Sequence, residues 1–169
     1  MDESQSGRRS RILKIIAVVA IVAVAVEVLS YLIVDKSNPD VVSEPNWAAV
    51  DPQVKTLAQD ACFDCHSNET EWPWYANIAP ASWLLWNDVR GGRDALNFSE
   101  WNGRRARTRE LAEVINEGEM PPWYYTLMHP KAKLSDQEKQ ILIDGLNAAI
   151  GQTNSGTATG QARPTNSTN

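Results

Sequence analysis

A chain of 169 residues with 22% charged side chains and a formal net charge of −5 is poorly suited to bind nucleic acid or an anionic lipid surface. Both cysteines and His66 fall within five residues, leaving one further histidine, His129, and no second cysteine pair, so a structural zinc site with four Cys, His or carboxylate ligands is not expected. The length allows one small domain with extensions, and the extensions are visible in the composition.

Residues 1–14 form a short basic N-terminus, with Arg8, Arg9, Arg11 and Lys14. Ile15 to Val34 follow as a near-continuous apolar run of 20 residues, interrupted by Glu27, Ser30 and Tyr31. That is the length needed to cross the hydrocarbon core as a helix. Basic residues precede the run, so the N-terminus is expected in the cytoplasm and the bulk of the chain outside. Ala23-Val24-Ala25 has the small-x-small pattern of a cleaved signal, yet nine further residues of the run would be left exposed after cleavage. An uncleaved, single-pass signal anchor is the expected reading. Glu27 is costly at membrane depth, and is expected to be neutral, to snorkel outward or to meet a partner helix.

Residues 35–46, with Pro39 and Pro45, read as a linker, and residues 151–169, rich in Gly, Ser, Thr and Asn, as a disordered polar tail. The folded domain is then expected over 47–150, within an exported part of net charge −6. That is small for a self-sufficient core. Asp51-Pro52 is an N-cap with proline at the first helical position. Val54, Leu57, Ala58, Ala61, Cys62 and Cys65 follow at helical spacing.

Cys62-Phe63-Asp64-Cys65-His66 is a C-x-x-C-H pentapeptide holding both cysteines. This spacing is that of c-type haem attachment: each thiol forms a thioether with one haem vinyl group, and His66 reaches the iron from the same side. A thioredoxin-like reading of C-x-x-C would want a neighbouring βαβ pattern, which is absent from the sequence. One covalent haem would also supply apolar interior to the small domain.

Further along, Thr108 to Asn116 is expected to be helical, with Leu111, Val114 and Ile115 inward and Gly118 just past the end. Ser135-Asp136-Gln137-Glu138 reads as a capping box opening a helix that packs through Ile141, Leu142, Gly145, Leu146, Ala149 and Ile150. The fold class is all-α. All seven tryptophans lie between Trp47 and Trp123. Trp72, Trp83 or Trp123 would wall the haem or bond a propionate, although ordinary packing is the default expectation for each. Asn68-Glu69-Thr70 and Asn97-Phe98-Ser99 match glycosylation sequons and receive no weight.

The sixth iron position would be filled by Met120, His129 or Met128, or stay open. Met120 stands in Gly118-Glu119-Met120-Pro121-Pro122, after a helix end and before two prolines that fix the backbone. It lies 54 residues beyond His66, enough chain to reach the opposite haem face. Met120 is therefore the expected distal ligand, with His129 the alternative. Methionine ligation would raise the reduction potential and bis-histidine ligation would lower it.

Cys62-Phe63-Asp64-Cys65-His66-Ser67-Asn68-Glu69-Thr70 followed by Trp72-Pro73-Trp74-Tyr75 resembles the haem-binding domain family of bacterial cytochrome-c-like proteins. Ile78-Ala79-Pro80-Ala81-Ser82-Trp83, Leu96-Asn97-Phe98-Ser99-Glu100-Trp101, Gly118-Glu119-Met120-Pro121-Pro122 and Tyr125-Thr126-Leu127-Met128-His129-Pro130 extend the resemblance. It implies a small cytochrome-c-like helical domain around one covalent haem c, tethered to the bacterial inner membrane and facing the periplasm, where such haem is attached. By the same likeness, a backbone carbonyl in the Asn77-Ile78-Ala79-Pro80 loop is expected to accept from the second ring nitrogen of His66. The function expected is one-electron transfer with His/Met-ligated iron, serving redox partner proteins and not nucleic acid. A haem-based sensor or small-ligand binder, or a peroxidase-type enzyme, are the alternatives. No nucleophile–base pair or phosphate loop points to other catalysis.

Overall fold

The structure is a computed structural model that describes residues 3–101 and 108–158, with side chains described for 7–101 and 110–150. Among the described residues the α-helices are α1 (Glu3–Ile33), α2 (Pro52–Ala61), α3 (Phe63–His66), α4 (Ala81–Ala95), α5 (Thr108–Asn116), α6 (Trp123–Met128) and α7 (Asp136–Ala158). Single 3₁₀ turns cover Trp47–Ala49, Trp74–Asn77 and Pro130–Ala132. Among the described residues there is no strand, and one isolated bridge joins Ser43 to Glu100. The all-α expectation holds.

The chain divides into two compact units. One comprises Met1–Ser37 with Trp72–Asp88, and the other Asn38–Glu71 with Val89–Asn169. The first is built on α1, whose stretch Gly7–Ile33 is long and apolar enough to cross a membrane. Trp72–Asp88 was expected as part of the 47–150 domain, whereas its contacts group it with α1.

The second unit is a helical domain whose elements follow from local chemistry. Asp51 caps α2 by accepting from Gln53 N at 2.8 Å, with Pro52 at the first helical position. Ser135 and Glu138 close the capping box of α7: Ser135 N donates to Glu138 Oε2 at 2.8 Å and Glu138 N to Ser135 Oγ at 3.3 Å. Past α5, Gly118 adopts φ +77°, a left-handed turn open to glycine without strain. Met120 N then folds back to donate to Val114 O at 3.0 Å. α7 continues to Ala158, eight residues into the segment expected as a polar tail. Extending a helix already nucleated gains a bond per residue, and no proline intervenes before Pro164. Residues 159–169 lie outside the described residues.

The core gathers Val54, Leu57, Ala58, Phe63, Phe98, Trp101, Ile115, Leu142 and Leu146, all buried. Phe63 and Phe98 stack with centroids 5.1 Å apart, and Phe98 and Trp101 at 5.8 Å and 6°. α7 presses closest to α2 at Gly145, where an added Cβ would lie 2.2 Å from a methyl of Val54. Only glycine fits there without displacing the valine.

Candidate functional site

The cysteine pentapeptide sits in the second unit, where α2 meets α3. The expectation that one helix carries both cysteines needs correction: Cys62 has φ −128° and ends α2, and Phe63–His66 form a separate single turn. Cys65 N and His66 N both point back to Cys62 O, at 3.2 and 2.9 Å. That tight turn turns Phe63 into the aromatic core and keeps the two thiols, neither in a disulfide, half-buried nearby. Burial first, and the neighbouring Cys65 second, push the Cys62 thiol up to about 12 from 9.0. It therefore stays protonated at neutral pH, unlike the activated thiolate that disulfide exchange requires.

His66 is held from both ends by the segment after α4. Its Nδ1 lies 3.0 Å from Leu96 O, and its own carbonyl accepts from Phe98 N at 2.7 Å. Leu96 thus takes the role expected of the Asn77–Pro80 loop. The reason is tertiary: Gly92 lets α4 come so near that an added Cβ would be 2.3 Å from Cys65 O. This contact also explains why α4 is hard to read in the sequence, since adjacent glycines such as Gly91 and Gly92 disfavour a helix interior. Burial pulls the His66 imidazole below its ordinary value, opposed in part by the Leu96 and Gly92 carbonyls. A neutral ring with Nδ1 so engaged has the orientation that a metal-binding histidine would need.

A polar network, buried at Asn68, Asn97 and Ser99 and open to solvent at Asn38, fixes the chain on either side. Arg93 Nε donates to Ser67 O at 2.7 Å, and its Nη2 to Asn38 Oδ1 at 2.8 Å and Thr70 Oγ1 at 3.0 Å. Asn97 Nδ2 donates to Asn68 Oδ1, and Asn68 N to Ser99 Oγ, both at 2.9 Å. The two sequon asparagines are thus internal partners, which gives Asn68 and Asn97 the structural role their sequence pattern hid. Thr70 Oγ1 donates to Asp64 O at 2.7 Å, closing the loop onto the pentapeptide.

The distal candidates lie in the same unit. The Met120 side chain is 40% exposed and belongs to neither buried cluster. Met128 is also exposed. The His129 ring stacks on Tyr125, with centroids 4.2 Å apart at 8°, and Tyr125 Oη donates to Asp64 Oδ2 at 2.7 Å. His129 is therefore linked through Tyr125 to the pentapeptide, a tie absent from the sequence reading. Of the tryptophans singled out, Trp83 and Trp123 are exposed and Trp72 is half-buried, so ordinary core packing does not describe them.

The donor set fits a haem better than a bare ion. Among the described residues no group of three or more His, Cys, Asp or Glu converges to hold a metal. A macrocycle supplies four nitrogen donors itself, so a site for it would need few protein ligands, and one oriented histidine suits that demand. Comparison with known families agrees, for the haem-binding domain model matches residues 22–148, three quarters of the chain.

The chain belongs to the haem-binding domain family.

The match of this haem-binding domain protein begins inside α1 and so takes in Glu27 and Ser30 as well as the pentapeptide and Met120. No curated protein and no solved structure matches the chain. When bound, haem would supply a one-electron redox couple. The residues around the pentapeptide orient His66, keep it neutral and hold the cysteines in one tight turn.

Proposed function

We propose that this haem-binding domain protein is a c-type electron carrier held on the periplasmic face of the bacterial inner membrane. The carrying observation is His66, fixed through Nδ1 by Leu96 O and placed directly after Cys65 in a C-x-x-C-H turn. In this reading Cys62 and Cys65 hold one haem c by thioethers, His66 is the proximal iron ligand and Met120 the distal one. α1 is the single membrane anchor, with its basic N-terminal end in the cytoplasm. Redox proteins are the partners. With both axial positions filled, the residues need only hold the iron in one geometry through each electron exchange.

A second reading, a sensor or small-ligand binder, draws on the exposure of Met120. A thioether at the surface is easier to displace than one locked in a core.

The test combines two measurements on the purified full-length protein. Pyridine haemochrome analysis should give the spectrum of haem with both vinyl groups saturated, and Cys62→Ala with Cys65→Ala should leave no haem after acid–acetone extraction. The reduced protein should be indifferent to carbon monoxide. Extractable haem in the wild type would overturn covalent attachment, and ready carbon monoxide binding would replace electron transfer by the sensor reading.

A further inference from the structure

The outer end of α1 carries residues that a lipid-facing helix disfavours, and the first unit provides partners for them. Both carboxylate oxygens of Glu27 lie 3.2 Å from Ala79 N, which donates to them. Ser30 Oγ and Ser82 Oγ share a hydrogen bond of 2.7 Å, and Lys36 Nζ reaches the carbonyl of Ala76 and the side chain of Asn77. Positions 76–82 are thus bonded to the end of α1, at Glu27 and Ser30, and to Lys36 just beyond it.

This contact sets a depth. At about 1.5 Å per residue, Glu27 sits roughly 10 Å below the end of an apolar run that itself spans about 30 Å. The segment bonded to Glu27 then reaches the boundary between headgroups and acyl chains. Its composition suits that place. Trp72 to Asp88 contains four tryptophans and one tyrosine, and its only charge is Asp88, at the end. Its outward side chains are Trp74 (71% exposed), Ile78 (47%), Trp83 (38%) and Leu84 (47%). Indole rings concentrate at this level of a bilayer because one edge is polar and the body apolar. The backbone is equally prepared: Ala79, between a 3₁₀ turn and α4, has its N–H satisfied by Glu27, and hydrocarbon tolerates non-helical backbone only when such groups are paired.

We propose that Trp72–Asp88 is a second membrane element, embedded in the outer-leaflet interface beside α1, with the phospholipid bilayer as the partner of its aromatic face. The proposal rests on α1 spanning the membrane. It gives Glu27 a specific task, binding a backbone N–H at the edge of the hydrocarbon, in place of being a tolerated charge.

The full-length protein is reconstituted in phosphatidylethanolamine–phosphatidylglycerol vesicles containing a phospholipid with a diazirine near the headgroup end of one acyl chain. After illumination, lipid adducts are located by peptide mass mapping. Adducts are expected in 72–88 as well as in α1. Trp74→Glu with Trp83→Glu, both at exposed positions, should reduce labelling of 72–88 by about tenfold, given the cost of acidic side chains in lipid, and leave α1 labelling unchanged. Labelling confined to α1 overturns the proposal while the anchor stands. Cross-links from 72–88 to a second copy of the chain, in place of lipid, also overturn it. Labelling of neither segment removes the anchor and the proposal together.

Discussion

Tyr125 donates its hydroxyl hydrogen bond to Asp64, a spacer residue of the C-x-x-C-H turn, across 61 positions of sequence and 2.7 Å of space. Burial first, and Asp64 second, push the phenol well above its ordinary value, so it remains a donor at any pH the protein meets. The other Asp64 oxygen accepts from Glu71 N at 3.0 Å, so this one carboxylate ties α6 and the post-histidine loop to the C-x-x-C-H turn. Stacking of His129 on the same tyrosine extends the tie.

Tyr125→Phe keeps the ring and its stacking but removes the donor. A hydrogen bond to a charged, partly buried acceptor contributes about 1.5–3 kcal/mol, and stability should fall within that range. Denaturant unfolding of the purified protein checks this. Covalent haem content should be unchanged, since Cys62, Cys65 and His66 are untouched.

Met120→Ala should erase the ferric sulfur-to-iron charge-transfer band, lower the reduction potential and open the iron to added ligands. Met128→Ala and His129→Ala should leave the band in place. Should His129→Ala alone alter the axial spectrum, the distal ligand is His129 and the haem is of the low-potential bis-histidine kind.

The two close approaches at glycine predict separable effects. Gly145→Ala would drive a methyl into Val54, a stiff β-branched side chain that is 1% exposed, and should destabilise by about 1–3 kcal/mol. Haem content per folded molecule should not change. Gly92→Ala meets backbone, the Cys65 carbonyl, and must push α4 away from the pentapeptide. Loss of the Leu96 acceptor should then lower haem incorporation as well as stability, read by haem staining of denatured protein against protein content.

His66 predicts the acid side of the stability profile. Its folded-state value is depressed, so the unfolded chain takes up the proton first as pH falls below about 6.5. The stability contributed by the neutral ring is complete above that pH and is lost as pH falls through the folded-state value. Urea midpoints of the haem-free protein between pH 8 and pH 5 should be level in this respect above pH 6.5 and decline below it. A decline beginning above pH 6.5 would contradict the buried, neutral assignment.

The sequence by itself determined what is local or periodic. The apolar run of α1, the Asp51-Pro52 cap of α2, the bounds of α5 and the Ser135/Glu138 box of α7 all depend on neighbours within a few residues, and each is read directly. The C-x-x-C-H pentapeptide is equally local, because its two thiols and its imidazole fall within five residues. Tertiary structure alone decided what orients them. Leu96 at 30 residues from His66, Asn97 at 29 from Asn68, Arg93 at 26 from Ser67 and Tyr125 at 61 from Asp64 meet through packing, and no periodicity encodes such pairs. The same holds for α4, where the glycine that weakens the local helix signal is the residue whose missing Cβ lets the helix rest on Cys65. Glu27 is the converse case: as a lone carboxylate in an apolar run it reads as an anomaly, and only the folded chain brings Ala79 N–H to meet it.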